Sequence, residues 1–230
     1  MLRDLIRVGF LLLTRLTIEG REQLPEKGPI LIVANHFHFA DPVAIIRAMP
    51  WLLDFIGGLQ MPFAPNGVKW LAWLWGTFRV HRQGSSRAAL EQGEAVLSDG
   101  GILGIFPEGG SWAAVLRPPR PGAAYLATRT GAIVVPVGLI GMTDMFSLFR
   151  CGHRAQVTVR IGEQVGPFPP VPRGRGGREQ IDRIGEQLMK GIAVLLPPEK
   201  RGVYSEEPAL REAAEEVAAY PWEGAKGVNL

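Results

Sequence analysis

The period of the apolar positions changes several times along the chain, and each change marks an element. Residues 1–13, MLRDLIRVGFLLL, place Leu2, Leu5, Ile6, Phe10 and Leu13 on or near one face of a helix, with Arg3 and Arg7 among them and Arg15 beyond. Such an amphipathic helix either lies in a lipid headgroup layer or packs on its own domain. The run GPILIVAN (28–35) is apolar without alternation, which predicts a strand buried on both faces, as in a parallel sheet. GGILGIF (100–106) and GAIVVPV (131–137) share that character. In the latter, Pro136 cannot donate to a central ladder, which predicts that it sits at a strand end. AQVTVRIGE (155–163) alternates instead, with Val157, Val159 and Ile161 on one side, and predicts a half-exposed strand near an edge.

Between these strands the spacing turns helical. Residues 85–98 form a helix with Ser85 or Ser86 as N-cap and Gly100 past its end, and a second covers about 121–130. After the proline- and glycine-rich connector GPFPPVPRGRGG (166–177), a helix runs from about 178 to 196 on Ile181, Ile184, Leu188, Ile192 and Leu195 until Pro197-Pro198 stops it. One more helix, opened by Pro208, covers about 208–219. The strand–helix–strand rhythm predicts a single α/β domain, with a mixed, largely parallel sheet flanked by helices and an N-terminal interfacial helix.

Composition narrows the classes. With 230 residues, 47% hydrophobic and 20% charged, the chain suits one sizeable folded domain rather than disorder. The lone Cys151 excludes an internal disulfide framework. The long uncharged runs are broken by proline and glycine, so none offers the roughly 20 apolar residues of a membrane-spanning helix. The N-terminal apolar core VGFLLL is too short for a cleavable secretory signal. A net charge of +3 is carried mostly by arginine, whose planar fork suits phosphate and carboxylate, although GC-rich codon usage gives the same bias. Trp70, Trp73 and Trp75 in WLAWLWGTF (70–78), with Trp51 before them, fit a membrane interface, an acyl-binding groove or a core wall.

The chemistry concentrates where the buried strands end, which is where ligands bind in open α/β sheets. The first strand runs into NHFHFAD (35–41) and the second into FPEGGS (106–111). His36 and Asp41 form one candidate pair: a turn into a helix with Asp41 as N-cap and Pro42 at N1 would bring the carboxylate back to the imidazole. A carboxylate on Nδ1–H leaves Nε2 free to accept a proton. The bland alternative is a helix cap beside a well-packed histidine. A zinc reading would use His36, His38 and Asp41, but no second cluster with ligand spacing follows, so neither metal nor other cofactor is expected.

Four segments in order, NHFHFAD, GTFRVHR, FPEGGS and VPVGL, resemble the four blocks of glycerolipid acyltransferases of the lysophosphatidic acid acyltransferase type, over roughly residues 15–165. His36 and Asp41 match the His-x4-Asp block, commonly preceded by asparagine as here by Asn35. Arg82 matches the second block, Phe106 to Gly109 the third, and Val135, Pro136 and Val137 the fourth. The resemblance implies acyl transfer from a thioester, acyl-CoA or acyl-carrier protein, to the hydroxyl of a lysophospholipid, foremost 1-acylglycerol-3-phosphate. His36 and Asp41 would then be catalytic. Arg82, Glu108, Gly109, Gly110, Ser111 and Arg120 would bind substrate, with Asn35, Arg79 and Pro136 as further possibilities. It implies a domain over 1–200 with residues 1–14 at the membrane interface, a helical tail over 201–230, and a peripheral or monotopic protein on the cytoplasmic face. Nucleic acid is not an expected partner. One departure stands out: the family's Phe-Pro-Glu-Gly-Thr-Arg-Ser reads FPEGGSW here, without the arginine credited with phosphate binding. Arg79, Arg117 and Arg120 are the replacements to test; the alternatives are a different glycerolipid or glycolipid acceptor, or a lipid-binding relative without catalysis.

Overall fold

The computed structural model describes residues 2–58, 78–80, 87–111, 113–172 and 174–218. Helix α1 (Leu2–Leu13) runs directly into strand β1 (Thr14–Glu19). The carbonyls at this junction are satisfied by side chains: Thr14 Oγ1 donates to Phe10 O at 2.7 Å, and the Arg154 guanidinium donates to Leu11 O and Thr14 O. There follow β2 (Ile30–Ala34), α2 (Asp41–Ala48), β3 (Asp54–Gly58), β4 (Phe78–Val80), α3 (Arg87–Ser98) and β5 (Ile102–Ile105). Then come α4 (Gly122–Thr130), β6 (Ile133–Ile140), α5 (Met145–Arg150), β7 (Ala155–Ile161), α6 (Arg175–Ala193) and α7 (Pro208–Ala218).

The seven strands form one sheet in the order β1-β7-β6-β2-β5-β3-β4. All neighbours are parallel except β6 and β7. Every residue of β2 is buried because the two faces carry separate cores. Ile30, Ile32 and Ala34 face α1 and α2, together with Phe10, Ile45 and Met49. Leu31 and Val33 face α3, α4 and α6, together with Leu97, Leu126 and Leu188. The unbroken apolar pattern of β2, β5 and β6 is the signature of this double burial.

Pro136 departs from expectation. It lies in the middle of β6, paired with Val33, rather than at a strand end. The missing N–H would point towards β7, where the ladder is interrupted between Ile161 and the Val134–Val165 bridge. Only its carbonyl is used on that side, accepting Gly162 N–H at 2.9 Å, so no donor is missed. The strand at 155–161 alternates as expected and lies one position in from the edge, which is formed by β1. The helix expected over 178–196 begins earlier, at Arg175, behind Gly174 with φ 109°. The tail beyond 200 folds back on the domain: Gly202 lies against the backbone of Leu116, and Ala214 of α7 is buried. The tryptophans at 70, 73 and 75, the expected caps Ser85 and Ser86, and Arg82 lie outside the described residues. Among the described residues no helix is long and apolar enough to cross a membrane.

Topology creates a crevice. From the end of β2 the chain passes to α2 on one face of the sheet, and from the end of the adjacent β5 it passes to α4 on the other. Adjacent strands whose connections part in this way leave an opening at their carboxyl ends.

Candidate active site

Residues 35–41 line one wall of that opening. Asn35 is fully buried and continues the β2–β6 pairing with its side chain: Leu139 N–H donates to Oδ1 at 2.7 Å, and Nδ2 donates to Leu139 O at 3.0 Å. The carboxamide thus satisfies the sheet where the backbone of β2 turns away.

The turn that follows is organised by one carboxylate oxygen. Asp41 Oδ2 accepts the N–H groups of Phe37 at 2.8 Å and His38 at 2.7 Å, and lies 3.1 Å from His36 Nδ1. Asp41 therefore caps the turn behind it, not the helix ahead, and the expectation of a helix cap is corrected. It is the first residue of α2, the N-cap position falls on Ala40, and Pro42 moves to the second helical position. Competition decides this: three donors converge on Oδ2 from the preceding loop, leaving that oxygen unavailable to the helix. With Nδ1–H directed at a buried carboxylate, Nε2 is the remaining basic site of His36.

The two histidine rings do not converge. His36 stacks on Phe106 with centroids 4.1 Å apart and planes at 18°, and Phe106 in turn lies 6.1 Å from Phe55 at 8°. His38 packs on Phe39 and Phe146, and its Nδ1 accepts Ala40 N–H. Burial lowers the His38 pKa, against the raising influence of Asp41. Residues 37–40 form a turn, so His36 and His38 are not same-side neighbours on an extended strand. Among the described residues no three His, Cys, Asp or Glu side chains converge on a metal-sized site.

The opposite wall is the turn Phe106–Gly109, closed by Gly109 N–H to Phe106 O at 3.0 Å. Pro107 fits the second position of such a turn, and Gly109 adopts φ +74°. The turn points Glu108 inward, where it is fully buried. Its Oε1 accepts His36 N–H at 2.7 Å, and its Oε2 accepts Arg117 N–H at 3.2 Å. The Arg117 guanidinium, also fully buried, lies 3.9 Å from Oε2 and donates to Gly110 O. Desolvation pushes the Glu108 carboxyl up to about 8; the two backbone N–H donors and Arg117 pull the other way without offsetting it. Glu108 thus ties the ends of β2 and β5 together across the crevice.

The expected substrate-binding residues divide accordingly. Gly109 is exposed, and Gly110, Ser111 and Arg120 are half-buried beside the turn. Arg120 N–H donates to Pro107 O at 2.7 Å, and its stem lies against Gly109. Arg79 lies in β4 opposite Gly57, and Pro136 packs against Gly162 and Gly191. Arg117, one of the replacements considered for the missing arginine, is committed to the interior. Two contributors escaped sequence reasoning: Phe106 as the platform under His36, and Arg117 as the buried partner of Glu108. Nothing in RPPRPG (117–122) distinguishes the inward arginine from the outward one.

The chain is similar to known proteins. A 1-acyl-sn-glycerol-3-phosphate acyltransferase of Borreliella burgdorferi is 29% identical over 153 residues, 64% of this chain and 60% of that protein. The match therefore spans less than two thirds of the relative. The crystal structure of the 1-acyl-sn-glycerophosphate acyltransferase of Thermotoga maritima has the same fold, with a TM-score of 0.57 at 22% identity over 95% of this chain and 79% of that one. The Acyltransferase family as a whole matches residues 15–140, from β1 to the end of β6 and including both walls of the crevice. With more than half of its length matched, the chain belongs to the Acyltransferase family.

Proposed function

We propose that the protein is an O-acyltransferase that moves a fatty acyl group from a thioester donor, acyl-CoA or acyl-carrier protein, to the hydroxyl of a lysophospholipid. The foremost acceptor is 1-acylglycerol-3-phosphate, giving phosphatidic acid. The observation that carries this reading is the buried Asp41 carboxylate 3.1 Å from His36 Nδ1. His36 Nε2 takes the hydroxyl proton as the acceptor oxygen bonds to the thioester carbonyl carbon. The tetrahedral intermediate then expels the thiolate, which recovers the proton from the imidazolium. Ester and thiol leave, and no enzyme nucleophile is needed.

Glu108 serves this reaction as a positioning residue, since both of its oxygens face protein donors and none of its surface is exposed. Arg120, beside the exposed Gly109, is our choice for the acceptor phosphate. The protein acts at the cytoplasmic face of a membrane as a peripheral or monotopic enzyme, a reading supported by the amphipathic α1.

The test is a mass-spectrometric assay of a panel of lyso-acceptors with both donor types. Phosphatidic acid is expected from 1-acylglycerol-3-phosphate with the wild-type protein and not with His36→Ala. Unchanged turnover in that variant would sink the mechanism. Turnover only with acceptors lacking a phosphomonoester would replace the substrate.

A further inference from the structure

The short helix α5 carries large apolar side chains both in the core and at the surface. Met145 is buried in the core and Phe146 packs beside it, while Leu148 and Phe149 are 37% and 49% exposed. The helix touches the end of α1, where Val8, Leu11 and Leu12 are 55%, 45% and 64% exposed. Arg154 joins the two regions through its bonds to Leu11 O and Thr14 O. Single exposed leucines need no explanation; five large apolar side chains on two adjoining elements do.

Charge indicates the occupant. The exposed residues that flank these elements in sequence include Arg15, Arg150, His153 and Arg154, with Asp144 as the acid between Gly141 and Gln156. Apolar side chains flanked by arginine match a bilayer surface with anionic headgroups. The same helix also touches the His36 turn: Phe146 stacks on Phe39, with centroids 5.6 Å apart and planes at 6°, and lies 5.8 Å from the His38 ring. Phe39 and His38 both belong to the turn between His36 and Asp41.

We propose that α5 is a membrane-docking element. Leu148 and Phe149 insert into an anionic bilayer surface beside the last turns of α1, Arg150 meets the headgroups, and Phe146 holds the His36 turn close to the layer that supplies the lipid acceptor. The proposal rests on the lipid-acyltransferase reading. It predicts that the distance between catalytic turn and membrane is set by α5 as well as by the N-terminal helix.

Cys151, the only cysteine, is exposed and directly follows α5, so a nitroxide attached there reports its depth. With vesicles of phosphatidylcholine and phosphatidylglycerol, the label should lose access to an aqueous nickel chelate and gain access to oxygen. Leu148→Ser/Phe149→Ser should bind these vesicles roughly tenfold more weakly, from the apolar surface removed. The variant should acylate a short-chain, monomerically dispersed acceptor at the wild-type rate. The idea is overturned if the label on floated protein stays open to nickel, if the double variant floats as well as wild type, or if the protein does not float. A lipid-independent dimer broken by the double substitution would also overturn it and assign the patch to a second copy. The soluble-acceptor rate separately reports the transferase reading, since a protein that docks but transfers no acyl group to any acceptor fails only there.

Discussion

His36 and Asp41 are separated by five positions in sequence and by one hydrogen bond in space, and substitutions can split their roles. In the proposed mechanism His36→Ala removes the base, and a positioned base contributes roughly 10²–10⁴-fold, so kcat should fall by that factor. Asp41→Asn is more informative. Its carbonyl oxygen can keep the N–H bonds of Phe37 and His38, while the amide nitrogen occupies the place of Oδ1, which accepts no bond among the described residues. What is lost is the negative charge facing the imidazolium. Turnover should fall by about 10² or more while KM moves little; a loss of folding with no specific loss of kcat would make Asp41 merely structural. Glu108 supplies a prediction about pH. Its carboxyl is raised to about 8 by burial, so between about 4.5 and 8 the folded state holds a proton that the unfolded state releases. Stability from this group is therefore fully present below about 4.5, falls as pH rises through that window, and levels off above it. Glu108→Gln cannot titrate. Urea unfolding midpoints should show wild type losing ground relative to the variant from pH 5 to pH 8, and parallel curves would contradict the buried, proton-holding carboxyl.

At the scale of elements, the site depends on strands that end in unusual ways. Asn35 substitutes for a strand residue, and replacing it with alanine would leave Leu139 N–H and C=O unpaired in the interior. Each orphan costs about 1–3 kcal/mol, so Asn35→Ala should shift thermal unfolding by several degrees and loosen the His36 turn that follows. In β5, Gly104 makes room for Phe55: an added Cβ would lie 2.4 Å from that ring. Gly104→Ala should cost roughly 1–3 kcal/mol by overpacking and disturb the Phe55–Phe106–His36 stack, lowering activity with it. These elements were unequally legible. β2, β5, β6 and α6 declare themselves because burial on both faces of a sheet, or on one face of a long helix, imposes a period on many consecutive residues. β1, β3 and α5 went unread: six, five and six residues long, they are set by pairing or packing with distant partners more than by local pattern. The His36–Asp41 pairing was legible because its geometry is local, spanning a single turn. The link from Glu108 to His36 N–H and the burial of Arg117 were not, since both arise from β5 lying beside β2 across 72 residues of sequence.

For the whole molecule, the N-terminal helix has to be placed before its role in membrane binding can be tested. It resembles a detachable anchor in sequence, yet its last turns are built into the domain. Phe10 is buried in the same core as Ile45, Met49 and Phe106, and the helix passes without a break into the edge strand β1, which pairs with β7 along its whole length. That core lines the face of the sheet from which the His36 turn and α2 project. Removing residues 1–13 would therefore delete a buried aromatic side chain as well as exposed leucines. Losses of this kind amount to about 3–5 kcal/mol for one phenylalanine. The truncated protein should unfold at markedly lower urea concentration and bind vesicles poorly for reasons unrelated to docking. Leu11→Ser/Leu12→Ser separates the two effects, because both side chains already face solvent and surface changes usually stay within about 0.5 kcal/mol. This variant should keep its unfolding midpoint, keep its rate on a soluble acceptor, and lose vesicle affinity. If truncation leaves the midpoint unchanged, α1 is an appendage after all; if it also leaves vesicle binding unchanged, the membrane-facing surface must be sought on α5 alone.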